Sequence, residues 1–497
     1  MTKPRTIDPK RNRWMFSLGT SGRDMFYAMY TSYLFSFIIY TKNLTTPQFT
    51  VVSIVMVACR AFDAIIDPLI GGLVENTRSR WGRFKPWIVI GMVFAALALI
   101  LIFSLPLDGW EFIVMLAAAN IFLTATYSLN DIAYWGMMPA LTSIPSERSK
   151  LTSLSTFCGS VGSALAFLLV PLLTNGKHAI GGSAVIAYPI IAVIACAAMW
   201  GTQFLTLFGV HEPKASELAA ERAPKLSLRD IFKVVLKNDQ LLWASLSIFM
   251  QTFASGLFTS ALSMFYVYLR FGYDGKLIPL SSVGYAIGGV LANVFLAKLH
   301  AKYGRKRCVL GAMLSFAAGS AFILTTGLLI PVSSPYVLFA CYAFGQIFMG
   351  LGGNGFYMTM LVSISNSVEY NEYRTGKRQE GLIYSVRPFV SQMSGACAQA
   401  AVTGIFLTLG LLGISNGISE LENQAAKQTI TENVKLGQIK DLLEAVGMDE
   451  IRWLLIAITV IPAAFVVAGY CIYRKKYFID EEYYDKIRAE TTAKGEE

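Results

Sequence analysis

Apolar residues in this chain gather into long runs divided by short polar connections. A run of roughly 20 apolar residues lets a helix cross a bilayer. Twelve such runs occur, at approximately 14–41, 49–74, 87–105, 111–141, 151–174, 184–209, 241–270, 277–300, 308–331, 335–366, 381–413 and 451–473. A bilayer offers the backbone no water, so segments of this length satisfy their own amides as helices. The expected fold class is an all-α membrane protein with twelve transmembrane helices.

The polar connections alternate in charge. Those after spans 2, 4, 6, 8 and 10 read "NTRSRWGRFKP", "PSERSK", "PKASELAAERAPKLSLRDIFKVVLKNDQ", "AKYGRKR" and "EYRTGKRQEG", and all are basic. The others carry few Lys or Arg. Basic residues collect on the cytoplasmic side, and an even number of spans returns the chain to the side it left. The N-terminal segment 1–13 and the tail 474–497 are therefore both expected in the cytoplasm of a cell-membrane protein. The linker 210–240 divides the chain into 14–209 and 241–473, six spans each. Within it Leu228, Ile231, Phe232, Val235 and Leu236 form one helical stripe beside Arg229, Lys233 and Lys237, which predicts an interfacial helix on anionic lipid headgroups. "WGRFK" (81–85) after span 2 resembles "YGRKR" (303–307) after span 8, an offset of six spans that suggests duplicated halves, two six-helix bundles. The outer loop 414–450 is long. Val434, Leu436, Ile439, Leu442, Leu443 and Val446 predict an amphipathic helix there, with a structural rather than a substrate role.

Composition narrows the class. Of 497 residues 54% are apolar and only 15% are charged, against about 25% in soluble proteins. The net charge of +10 is accounted for by basic cytoplasmic loops, so no nucleic-acid partner is expected. Seven Cys fall singly, without a CxxC pair, which argues against a disulfide framework or a metal site. The three His sit near span ends, not at mid-membrane. No catalytic constellation lies near the interface, so neither an enzyme nor a cofactor is expected.

The chemistry lies in charges inside apolar runs, which must face the bundle interior or water. Span 2 holds "RAFDAIIDPLIGG" (60–72). Asp63 and Asp67 are four residues apart and share a helix face, with Arg60 on the same side. Two carboxylates to one arginine leave net negative charge, which invites a proton or a hard cation. Span 1 holds "GTSGRDMFYAMY", where Arg23 and Asp24 interrupt the run and Tyr27 follows one turn on. Span 4 holds "TYSLNDIAYWGMMPAL", where Tyr127, Asp131 and Trp135 form one stripe at a spacing of four. A carboxylate accepts sugar hydroxyls and an aromatic ring covers the apolar face of a pyranose. Span 11 opens with "GLIYSVRPFVSQMSG", in which Tyr384, Arg387 and Ser391 share a face and Pro388 predicts a kink.

"RAFDAIIDPLIGG", the following "TRSRWGRFKPW", "NDIAYW" and "VEYNEYRTGKRQEG" occur in this order. With them the chain, from about residue 14 to 473, resembles the glycoside–pentoside–hexuronide:cation symporters of the major facilitator superfamily. The resemblance implies two six-helix bundles, alternating access and cation-driven sugar uptake. It implies Asp63 and Asp67 as cation-site carboxylates, helped by Ser128. It implies Asp24 and Asp131 as acidic sugar-binding positions, with Arg23, Tyr27, Tyr127 and Trp135 beside them. From the second half it implies Tyr357, Arg387, Ser391 and Gln392. Three positions depart from members of the family. Ile66 stands where sodium-using members offer an asparagine, Gln392 replaces a lysine, and Thr156 replaces an arginine.

The expected function is symport of a glycoside or oligosaccharide, a hexuronide among the options, with a monovalent cation. A proton is favoured over sodium, because Ile66 offers sodium no side-chain oxygen. Arg60 is expected to support the cation site, and the protein to act as a monomer in lipid. Two other readings are a lipid or lysolipid transporter of the same fold and a non-transporting sugar sensor. Asp24, Asp131 and Trp135 speak against the first. The short tail after Tyr473 speaks against the second.

Overall fold

Long apolar runs bounded by Pro, Gly and Thr fold as helices that start and stop at those signals. The computed structural model describes residues 9–142, 145–211, 237–331, 334–376 and 380–495. The interfacial-helix stripe Leu228–Leu236 lies outside them, as does part of the basic run before span 11. Sixteen α-helices and no strand occur among the described residues. They are α1 (Pro9–Thr41), α2 (Thr46–Asn76), α3 (Lys85–Ser104), α4 (Gly109–Leu141), α5 (Pro145–Thr174), α6 (Ala184–Gly209), α7 (Asp239–Phe258) and α8 (Ala261–Phe271). Then follow α9 (Leu277–Tyr303), α10 (Arg305–Leu329), α11 (Pro335–Thr375), α12 (Glu380–Thr408), α13 (Leu411–Ala426), α14 (Glu432–Glu444), α15 (Met448–Lys476) and α16 (Glu481–Gly495).

Among the described residues ten spans are long and apolar enough to cross a membrane, with α7 and α8 counted as one, and the bent pair α12–α13 makes an eleventh. The remaining long helix, α1, has 33 residues but is rich in Tyr, Ser and Thr around Arg23 and Asp24. Three expected spans differ in detail. Span 7 is interrupted at Thr259–Ser260, where the Ser260 side chain caps α8 by accepting from the Leu262 amide. Span 11 does not run on to residue 413: it ends at Thr408, and the chain turns by 89° into α13. Gly410 makes that turn at φ +67, a conformation glycine adopts without a Cβ clash. Span 10 continues to Thr375, a 41-residue helix about 60 Å long, so "VEYNEYRT" is its last two turns, with Val368, Tyr370 and Asn371 buried.

The described residues form two compact units, those up to 211 with 273–276 and 412–442, and those of 237–272 with 277–411 and 443–495. In the first, α1 packs on α5 and α6, α3 and α2 on α4, and α3 on α6. In the second, α7 packs on α12 and α15, α10 and α9 on α11, and α10 on α15. These are the same pairings displaced by six spans. The weak "WGRFK"/"YGRKR" repeat thus has a structural counterpart. Gly82 (φ +105) and Gly304 (φ +74) both hold a left-handed turn just before a helix. Beyond the second of these, Glu481 accepts from the Arg305 amide at 2.8 Å and its guanidinium at 2.9 Å. Burial pushes the Glu481 carboxyl up, but those Arg305 donors outweigh it and hold it below the usual carboxylate range.

The core of the first unit is apolar and aromatic, with Phe16, Ile88, Ala133, Tyr134 and Met137 fully buried. Two buried amides, Asn130 and Gln203, bond to each other at 2.9 and 2.8 Å, and Asn130 also donates to the Ile88 carbonyl at 3.0 Å. Satisfied in this way they avoid the cost of a bare buried amide and fix the register of α3, α4 and α6. Residues 414–450 form more structure than the single helix expected. α13 and most of α14 belong to the first unit. Ile439 and Leu443 of the expected stripe are buried, whereas Val434 is exposed. Lys435, fully buried, donates to the Glu422 carboxylate at 3.2 Å and the Gly182 carbonyl at 2.7 Å. Glu422 also accepts from the Ala184 amide at 2.8 Å. Asn416 bonds both backbone groups of Leu44, at 3.1 and 2.8 Å.

Candidate functional site

α1 and α4 build the first cluster. Arg23 is sealed, with 4% of its side chain exposed, while Asp24 and Asp131 keep 27% and 39%. The guanidinium donates from Nε (3.1 Å) and Nη2 (2.7 Å) to one oxygen of Asp24. Its Nη1 lies 2.9 Å from Asp131 Oδ1, an ion pair by distance whose alignment falls short of a hydrogen bond. The Tyr134 and Trp135 rings lie 5.0 and 4.8 Å from the guanidinium carbon, two cation–π contacts from rings that stand nearly perpendicular to each other. Trp135 also packs against the apolar core. The arginine is thus a buried keystone, and the two carboxylates it orients remain reachable. Gly159 of α5 makes room for this: a Cβ there would stand 2.2 Å from Asp24 Oδ2. No sequence pattern marked Gly159.

Aromatic rings flank the cluster. Tyr27, 42% exposed, stacks on Tyr127 at 5.0 Å and 18°, and Phe26 stacks on the same ring at 5.8 Å. Tyr27 therefore offers a ring that Tyr127, itself buried, holds in place. Tyr30, not singled out in the sequence, donates to Asn120 at 2.7 Å and contacts Thr124 at 3.2 Å.

The second cluster joins α2 and α4. Ser128 donates to Asp63 Oδ1 at 2.9 Å. Asp63, Asp67 and Arg60 are all half-buried. Among the described residues no salt bridge ties Arg60 to Asp63, so the expected neighbour acts on that carboxylate only at longer range. Ile66 packs against the apolar core. Among the described residues no group of three or more His, Cys, Asp and Glu could hold a metal ion.

In the second unit Arg387 is exposed, and its Nε donates to the Tyr357 hydroxyl at 3.1 Å. Among the described residues it has no carboxylate partner. Ser391 is half-buried, and Gln392 buries an Oε1 that accepts no hydrogen bond. One turn beyond, Ser394 bonds to Thr252 of α7 at 2.8 Å. The structure thus brings together Arg23, Asp24, Asp131 and Trp135, then Tyr27 with Tyr127, then Asp63 with Ser128, and Tyr357 with Arg387.

A multi-pass helical bundle with paired intramembrane carboxylates belongs among membrane transporters, and the comparisons agree. The family model for MFS/sugar transport proteins matches residues 15–481, and the chain belongs to that family. It is 29% identical over 427 residues to a lactose permease of Leuconostoc lactis, a match covering 80% of this chain and 62% of that protein. The raffinose carrier protein of Pediococcus pentosaceus is 26% identical over 495 residues, covering 96% and 71%. A glucuronide carrier protein homolog of Escherichia coli is 27% identical over 414 residues, covering 81% and 83%. The chain therefore spans less than two thirds of the lactose permease's length. Among solved structures it resembles the nucleoside transporter NupG at a TM-score of 0.58 and 12% identity, covering 94% of this chain and all of that one. A bacterial homologue of the iron transporter ferroportin superposes at 0.57 and 14%, covering 95% and 99%. At such identities these two share the fold alone.

Proposed function

We propose that the protein is a secondary active symporter that imports a glycoside or oligosaccharide with a cation by alternating access. One observation carries this reading. Ser128, bonded to Asp63, and Asp131, paired with Arg23, lie three residues apart on α4. One helical turn therefore connects the cation carboxylates with the sugar carboxylates. A cation that neutralises Asp63 and Asp67 draws on Ser128 and is felt at Asp131, so the two sites fill together and the filled state is the one that changes conformation. Sugar is supported by the names of the relatives and by Asp24 and Asp131, acceptors beside the Tyr27 ring. The test is uptake of labelled sugars into proteoliposomes with and without an ion gradient. No accumulation under either a proton or a sodium gradient would remove symport.

The coupling ion is a proton rather than sodium. Sodium wants several oxygen ligands, and Ile66 is engaged in core packing; a proton needs one carboxylate. Uptake driven by a sodium gradient and indifferent to a protonophore would reverse this. The substrate includes an acidic sugar, supported by Arg387, whose guanidinium offers a bidentate fork to a carboxylate. A glucuronide should outcompete the matching glucoside in wild type and lose that advantage in Arg387→Gln. Equal loss of both would assign Arg387 to holding the site together. The protein resides in the cell membrane with both termini and the 210–240 linker cytoplasmic.

A further inference from the structure

Away from these clusters, the second unit holds a cleft of about 230 Å³ where α8, α10 and α15 meet at one end of the bundle. Tyr266 and Arg270 of α8, Gly327 and Leu329 of α10, and Met448 and Arg452 of α15 line it, and no Asp or Glu does. Arg270 is 9% exposed. Its Nη2 donates to the Ile330 carbonyl at 3.2 Å, capping the end of α10, while its Nε has no partner. Among the described residues it makes no ion pair. A buried guanidinium without a carboxylate is costly, which makes an incoming anion welcome. Arg452 lines the cleft from the other side. Its ion pair to Asp449, at 3.2 Å, is solvent-exposed and so weak. The first turn of the 29-residue α15 borders the cleft and has no side-chain cap, which adds amide donors and the positive end of the helix dipole. Glu450 and Asp449 temper this at the rim.

We propose that this cleft binds a phosphate-type oxyanion, held by the Arg270 and Arg452 guanidiniums. Arginine forks match phosphate oxygens bidentately. Leu329, 80% exposed, and Leu328, 44% exposed, flank the cleft with apolar surface. That surface suits the glycerol and acyl portion of an anionic phospholipid. A free phosphate would satisfy the same donors.

The test uses the full-length protein in wild-type, Arg270→Gln and Arg452→Gln forms. Arg452 is exposed, so its variant should fold even if loss of the Arg270 cap unsettles α10. Native mass spectrometry compares retention of phosphatidylglycerol with phosphatidylcholine, and thermal unfolding is followed against inorganic phosphate with chloride as control. Wild type should retain phosphatidylglycerol preferentially, with retention falling about tenfold in Arg452→Gln, a loss of about 1.4 kcal/mol. Phosphate protection of wild type but not of Arg452→Gln, without lipid preference, would support the site with free phosphate as its source. No preference and no protection, or equal effects in wild type and Arg452→Gln, would overturn it and leave Arg270 as a helix cap.

Discussion

α4 serves two acidic clusters that differ in kind. In the first, Arg23 lies sealed between Asp24 and Asp131 under two aromatic rings. Two carboxylates against one guanidinium leave one negative charge, and the geometry is set by the cation the protein itself supplies. In the second, Asp63 and Asp67 lie one turn apart, Ser128 donates to Asp63, and no salt bridge joins Arg60 to Asp63. The first cluster is preorganised and presents oriented acceptors. In the second, a neutral hydroxyl rather than a guanidinium meets Asp63. Acceptors held by a guanidinium suit a ligand recognised by hydroxyl geometry, and two carboxylates one turn apart are the proposed place for the cation.

The sharpest break of this comparison is Asp67→Asn. Removing a carboxylate from the second cluster should abolish concentrative uptake while equilibrium exchange of sugar persists. Accumulation against a gradient in this variant would move the cation site elsewhere. Arg23→Gln attacks the preorganised cluster, leaving two carboxylates with no cation between them. A loss of about 3–5 kcal/mol is expected, read as a large fall in thermal unfolding temperature, with partial recovery in Arg23→Gln/Asp131→Asn. Unchanged stability would mean that Arg23 is no keystone. Asp131→Asn alone keeps the Arg23–Asp24 pair and should leave folding intact. It should weaken sugar binding by about 1.5–3 kcal/mol for each charge-assisted bond lost, measurable by calorimetry. Wild-type affinity would take Asp131 out of the sugar site. The smallest effect belongs to Ser128→Ala, which deletes one hydroxyl donor worth about 1 kcal/mol. The proton concentration for half-maximal uptake should move by a few fold, with sugar affinity at saturating cation unchanged. A larger effect on sugar than on cation would erase the distinction between the clusters.

The sequence alone determined what depends on local periodicity. Run length placed the spans, because bilayer thickness sets a fixed residue count. A spacing of four put Asp63 with Asp67, and Tyr127 and Asp131 with Trp135, on shared faces, because one helical turn follows from backbone geometry alone. Breaks inside spans were less legible. The 89° turn after Thr408 rests on Gly410, one glycine among the 41 of this chain. Only the tertiary structure decided which faces meet. Asp63 and Ser128 are 65 residues apart, and Asn130 and Gln203 are 73. Trp135, readable as a sugar platform, spends one face on Arg23. Gly159 matters because α5 passes close to Asp24. Lys435 sits on the buried side of α14 because Glu422 and the Gly182 carbonyl compensate its charge there. The physical reason is common to all of these. A helix face is fixed within one segment, whereas a partner is fixed by the register and packing of segments far apart in the chain, and those follow from the whole folded bundle.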